Sequence, residues 1–221
     1  MNAMTDTPTI SLKEDGPLLV ANGPGLTDAT GETSQPKPMI ALCRCGASAN
    51  KPFCDGSHSK AGFKSAPDHS NLRNAAVTYS GVADGVDVTI SYTPVLCTHA
   101  AQCQARAGSV FNPREKPWVQ PDGGKLDEIL DVMAACPSGA LRVSVGNAQE
   151  QHLTTGDVSI SIEPNGPYHV TNLALEAEFN GVGASKAKYS LCRCGLSKNK
   201  PFCDGSHYDA KWTDTGDQQS S

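Results

Sequence analysis

Cysteine and histidine recur in one spacing at two places. Cys43, Cys45, Cys54 and His58 form the first set, and Cys192, Cys194, Cys203 and His207 the second, each reading Cys-x-Cys-x8-Cys-x3-His. Thiolates and imidazole are ligands of zinc and of iron–sulfur clusters. Zinc sites usually separate their paired cysteines by two to four residues, so Cys-x-Cys is atypical for zinc. Thiols serving only as packing would have no reason to recur with the same histidine. A cluster held by three thiolates and one imidazole is the remaining reading.

The local sequence suggests how each donor is delivered. Cys43 and Cys45 fall on one side of an extended segment. Cys54 and His58 are four apart and share a face if a helical turn begins near the cysteine. Pro52 and Pro201 stiffen the approach to the third cysteine. Gly56 and Gly205 let backbone come close to the metal group, and Asp55 and Asp204 are placed to accept N–H bonds from the turn.

These sets belong to an internal repeat. Leu42–His58 (LCRCGASANKPFCDGSH) and Leu191–His207 (LCRCGLSKNKPFCDGSH) differ only at Ala47/Leu196 and Ala49/Lys198. Upstream, Ile10, Gly16, Pro17 and Val20 match Ile160, Gly166, Pro167 and Val170. Alternation in Ile10–Leu12 and Val158–Ile162 predicts short strands before a Gly-Pro turn.

The repeated motif resembles the CDGSH (NEET) family, whose signature is Cys-x-Cys followed by Pro-x-Cys-Asp-Gly-Ser-His. The resemblance implies a [2Fe–2S] cluster at each copy. It also implies that the copies meet as an intramolecular pseudo-dimer capped by a small β-sheet. Replacing one thiolate by neutral imidazole makes such a cluster less negative, so its potential should exceed the about −400 mV of all-cysteine plant-type ferredoxins. The imidazole also links reduction and cluster retention to pH.

The remaining cysteines, Cys97, Cys103 and Cys136, lie between the repeats. The stretch Val95–Val143 resembles a divergent single-cluster ferredoxin domain, with Cys-x-His-x3-Cys and a closing Cys136-Pro137. Ala100 stands where a further cysteine would be. The resemblance implies a third cluster, either [3Fe–4S] with one corner missing or [4Fe–4S] completed by His99 or water. Buried thiols without metal are the alternative. Around this site, Val86–Tyr92 and Leu141–Val145 read as strands and Ala100–Ala107 as a short helix. Lys125–Ala135 places Leu126, Ile129, Leu130 and Met133 at helical spacing.

Composition agrees with metal-dependent modules. Only 5% of the chain is aromatic, and it holds 21 Gly and 15 Pro, so its cores must be small and in need of staples. Nine cysteines cannot all pair within one chain, which favours metal use in a reducing compartment. The net charge of −5 and the lack of a basic run speak against nucleic acid. The N-terminus lacks the basic and apolar regions of a leader, and no apolar run would span a bilayer, so the expected location is cytoplasmic.

The reading is thus an α+β protein: CDGSH modules at 9–66 and 157–212, and a ferredoxin-like α+β insert at 75–146. We expect a non-enzymatic redox protein, monomeric, whose partners are redox or cluster-acceptor proteins; the alternative is storage or transfer of [2Fe–2S] units, or redox and pH sensing. Ser59–Asn74 and Gly146–Gly156 read as linkers, and 213–221 as a disordered tail. His69, His152 and His169 read as ordinary exposed histidines, Lys51 and Lys200 as solvated lysines, Trp118 as a packed aromatic, and Ser138 as no nucleophile.

Overall fold

A computed structural model describes residues 7–215. Of the expected tail, 216–221 lie outside the described residues.

In the first repeat, strands β1 (Thr9–Leu12) and β2 (Leu18–Ala21) flank the Gly-Pro turn, and β3 (Leu26–Thr27) and β4 (Met39–Leu42) follow. A one-turn helix, α1 (Ser57–Lys60), closes the motif. The second repeat runs β8 (Ser159–Ile162), β9 (Tyr168–Thr171), β10 (Ala174–Leu175), β11 (Lys188–Leu191) and α4 (Ser206–Asp209). Between them lie β5 (Val77–Ala83), β6 (Val86–Tyr92), α2 (Gln102–Arg106), α3 (Leu126–Ala135) and β7 (Leu141–Val145).

Neither repeat builds its sheet alone. The first sheet has the order β10-β1-β2-β4 and the second β11-β9-β8-β3. The short strand of each repeat therefore joins the other repeat's sheet, in parallel: Ile10 faces Leu175, and Leu26 faces Ile160. The inward residues of both sheets share one core, in which Ile10, Leu18, Val20 and Leu42 meet Ile160, Tyr168, Val170 and Leu191. Four-residue strands expose too much edge and bury too little apolar surface to stand singly. Exchange covers an edge and joins two half-cores.

The middle unit is an antiparallel sheet in the order β5-β6-β7, with α3 laid against it through Ile129, Val132 and Met133. Strands β6 and β7 and the body of α3 lie where the apolar periods predict. Strand β5 was not read from the sequence because Gly81 interrupts its pattern; Asp122 occupies the space a side chain there would need. The helix expected over 100–107 shortens to α2 because His99 and Ala101 adopt left-handed backbone, with φ of 58° and 56°.

The stretches read as linkers lie against the body. Phe63 is buried under the Arg44 guanidinium, Ser65 bonds to Asp15, and Gln151 pairs with Val143. Polar composition hid this, because these segments dock through backbone and hydroxyl groups. Trp118 packs edge-on against Tyr92, as its place before a turn suggests. Among the described residues no helix is long and apolar enough to cross a membrane.

Candidate metal centres

Each Cys-x-Cys sits just past the end of a strand, β4 or β11, where the chain turns at a positive-φ glycine, Gly46 or Gly195. The two sulfurs stand 3.6 Å apart in the first repeat and 3.7 Å in the second. The third cysteine and the histidine form another pair. Cys54 Sγ lies 3.4 Å from His58 Nδ1, and Cys203 Sγ lies 3.3 Å from His207 Nδ1. Two thiolates about 2.3 Å from one tetrahedral metal stand about 3.8 Å apart, and a thiolate and an imidazole nitrogen about 3.6 Å apart. Each pair thus has the spacing of two ligands on a single metal. The residues present fit a group with two metal positions, each taking two protein donors. Among the described residues no three His, Cys, Asp or Glu side chains converge on one ion position.

The cysteine does not share a helix with its histidine, as the four-residue spacing suggested. Cys54 precedes α1, and Gly56, at φ 88°, makes the turn that brings His58 back to it. Gly205 repeats this at φ 88°. The glycine of the first copy supplies left-handed backbone rather than clearance from other protein atoms, since a Cβ at Gly56 would meet nothing within 4 Å. Asp55 holds the turn by accepting from Ser57 N at 3.0 Å and Ala49 N at 2.8 Å. Asp204 accepts from Ser206 N and Lys198 N at the same distances.

Lys51 and Lys200 are held on the loop rather than freely solvated: their ammonium groups donate to Ser48 O and Ser197 O at 2.7 and 2.6 Å. Two other readings also change. His169 is largely buried between Ser190 Oγ and Glu163, at 2.8 and 2.9 Å. His152 is half-buried on the Gly183 carbonyl at 2.8 Å. His69 is exposed as expected. Ser138 is buried beside the Ala140 amide.

Electrostatics favour a cation at both sites. The Cys45 thiol donates toward Cys43 and lowers the Cys43 pKa to about 5, while that neighbouring charge pushes Cys45 above the usual thiol range. Cys192, lowered to about 7, and Cys194, raised, repeat the pattern. One proton of each pair leaves readily and the second needs an adjacent positive charge, which a metal supplies. Burial also raises Cys203 and lowers His207, keeping that imidazole neutral and able to donate its lone pair.

Arg44 and Arg193, between the paired cysteines, were missed by the sequence reading. Both are buried, and each donates to two carbonyls of the Gly-Pro turn. Arg44 reaches Gly16 O at 2.7 Å and Lys13 O at 2.6 Å; Arg193 reaches Gly166 O and Glu163 O at 2.7 Å each. Their identity within the repeat was the available signal. Each guanidinium ties the cysteine loop to the turn between the first two strands of its repeat. The two loops also abut each other: a Cβ at Gly46 would stand 2.3 Å from Cys194 O, and one at Gly195 2.6 Å from Cys45 O.

The middle cysteines line one cavity, together with Tyr92, His99, Ala100, Trp118 and Pro137. Cys97 comes in just before the left-handed loop at His99 and Ala101, Cys103 sits in the first turn of α2, and Cys136 caps the end of α3. Burial raises the Cys97 thiol and pushes Cys103 up to about 11. Ala100 brings no donor. The His99 ring stacks on Tyr208 of the second repeat, with centroids 5.4 Å apart and planes 30° apart.

Comparison with known proteins agrees with this division. The family model described as iron-binding zinc finger CDGSH type matches residues 15–59 and 165–208. The model described as a divergent 4Fe-4S mono-cluster matches residues 83–146. The Uncharacterized protein YjdI of Escherichia coli (strain K12) is 33% identical over 58 residues, which cover 26% of this chain and 76% of that protein. The protein of the same name in Escherichia coli O157:H7 matches to the same extent. No solved structure matches. Paired sulfur and imidazole donors on two near-identical loops, together with these matches, place the chain in the CDGSH iron-binding family, as an iron–sulfur protein with a divergent 4Fe-4S mono-cluster domain between its two copies.

Proposed function

We infer that the protein is an electron carrier. Cys43, Cys45, Cys54 and His58 hold one [2Fe–2S] cluster, and Cys192, Cys194, Cys203 and His207 another. The observation that carries this reading is the pairing of donors, two sulfurs 3.6–3.7 Å apart and a sulfur–nitrogen pair 3.3–3.4 Å apart at each site. Cys97, Cys103 and Cys136 hold a third cluster in a ferredoxin-like unit. Stacking of His99 on Tyr208 favours an open fourth position, hence [3Fe–4S], or [4Fe–4S] completed by water. Such clusters accept and return single electrons. The chain's own part is to hold them at fixed mutual positions, keep His207 neutral and shield the sulfurs.

The two CDGSH units act as an intramolecular pseudo-dimer, a reading supported by the strand exchange between their sheets. The carrier works as a monomer in the cytoplasm, a reducing compartment that suits nine free cysteines,. It has no substrate of its own and serves redox proteins. Handing a [2Fe–2S] unit to an acceptor is the second reading, favoured by the partial exposure of Cys45, Cys54 and His58.

Iron and acid-labile sulfide analysis of anaerobically purified protein, with visible and EPR spectra through a reductive titration, tests this. A reddish protein that cycles between oxidised and reduced forms with its iron retained is expected. Colourless protein with zinc and no sulfide would refute the reading, and bleaching with delivery to an apo-ferredoxin would favour transfer.

A further inference from the structure

The two motifs are nearly one sequence, yet their surroundings differ. At the first, Cys45, Cys54 and His58 are each partly exposed and Gly56 faces open space. At the second, Cys194, Cys203 and His207 are 6%, 3% and 7% exposed. A Cβ at Gly205 would lie 2.4 Å from His99 Cδ2 and 3.2 Å from Cys97 O. The loop that brings in the first cysteine of the middle cavity is therefore packed on the Cys-Asp-Gly-Ser-His turn of the second repeat. Tyr208 extends the cover by stacking on His99; Ser59 holds its place in the first repeat, where a serine cannot stack on a ring.

The cover is anchored away from the motif. Thr93 Oγ1 donates to Val182 O at 2.6 Å, and the buried Arg142 donates to the same carbonyl at 3.1 Å. Val182 N in turn donates to Asn74 O at 3.0 Å, and Lys188 reaches Met133 O. These bonds seat the middle unit on the second repeat. The two repeats also touch directly, through the Gly46 and Gly195 turns.

We propose that the repeats divide the work: the first site is the port at which an outside redox partner exchanges with the protein, and the second is an enclosed site joined to the middle cavity. The proposal rests on the reading that both sites hold clusters. It follows from packing, since among the described residues the His99 loop covers one copy of the motif and leaves the other partly exposed. A group entering from solution reaches His58 and Cys54 without any rearrangement, whereas reaching His207 and Cys203 requires the His99 loop to lift.

The test is chelator-driven bleaching of the intact holoprotein, with EDTA as the probe under anaerobic conditions. The [2Fe–2S] absorption should decay in two phases separated by at least several-fold in rate. His58→Cys should slow only the fast phase, and His207→Cys only the slow one. Tyr208→Ala, which removes an exposed ring and no ligand, should speed the slow phase several-fold and leave the fast phase unchanged. Iodoacetamide labelling after the fast phase, read by mass spectrometry, should find Cys45 and Cys54 modified ahead of Cys194 and Cys203. That measurement assigns the phases without any variant. A single common rate, or His207→Cys slowing the fast phase, overturns the proposal while leaving the cluster reading intact. Protein lacking iron and sulfide overturns both.

Discussion

At the scale of single residues, the proposed chemistry turns on the histidines, and the arginines set the frame. His58 and His207 present Nδ1 to a cysteine sulfur; under the proposed ligation a neutral nitrogen there would leave the cluster less negative than a fourth thiolate. His58→Cys and His207→Cys should each lower the potential of their own site and slow acid-induced cluster loss, as followed by redox titration and by bleaching at low pH. An unchanged potential would speak against histidine ligation. Arg44→Ala leaves the carbonyls of Lys13 and Gly16 without their charged donor. It should destabilise the fold by about 1.5–3 kcal/mol, measured by denaturant unfolding, and loosen the adjacent cluster. His152 carries a separate pH effect. Burial lowers its pKa from the usual 6.5, so below that pH the unfolded chain binds a proton that the folded chain refuses. Its contribution then turns against folding as pH falls through about 6.5. His152→Gln keeps a donor for Gly183 O, and its thermal midpoint should fall less than that of the parent between neutral and mildly acid pH.

At the scale of elements, strands too short to form a sheet alone are completed by exchange. Strand β3 serves β8, and β10 serves β1, so each candidate metal loop is supported by a core built from both repeats. The contact at Gly46 tests this sharing. Its backbone is left-handed, and a methyl group there would strike Cys194 O. Gly46→Ala should cost about 1–3 kcal/mol in backbone strain alone. Although it lies in the first repeat, it should perturb the spectrum of both sites; disturbance of the first site alone would show that the two loops are mechanically independent.

At the scale of the whole molecule, covalent linkage puts both partners of each exchanged strand pair in one chain. A fragment spanning 157–212 has lost β3, and its own β10 has lost β1. Two copies of the fragment can restore both pairings, so sedimentation should find it dimeric, and a well-folded monomer would contradict the exchange seen here. The middle unit breaks the symmetry of the pair. Seated on the second repeat through Arg142, Thr93 and the loop 181–183, it gives one of two like motifs a cover that the other lacks.

The candidate donors were legible in the linear chain because ligand chemistry depends on residue type and near spacing, and Cys-x-Cys-x8-Cys-x3-His states both. The duplication and the strands and helix around the middle cavity were legible for a similar reason, since periodicity is a local property. Arg44 and Arg193 were overlooked because their partners, Gly16 and Gly166, lie 28 and 27 residues away in the chain. Tertiary structure alone decided which strand completes which sheet, since two residues such as Leu26 and Thr27 carry too little pattern to name a partner. It alone also decided that the Cys203 copy is enclosed and the Cys54 copy open. Burial depends on what packs from outside a motif, and identical loops carry no record of it.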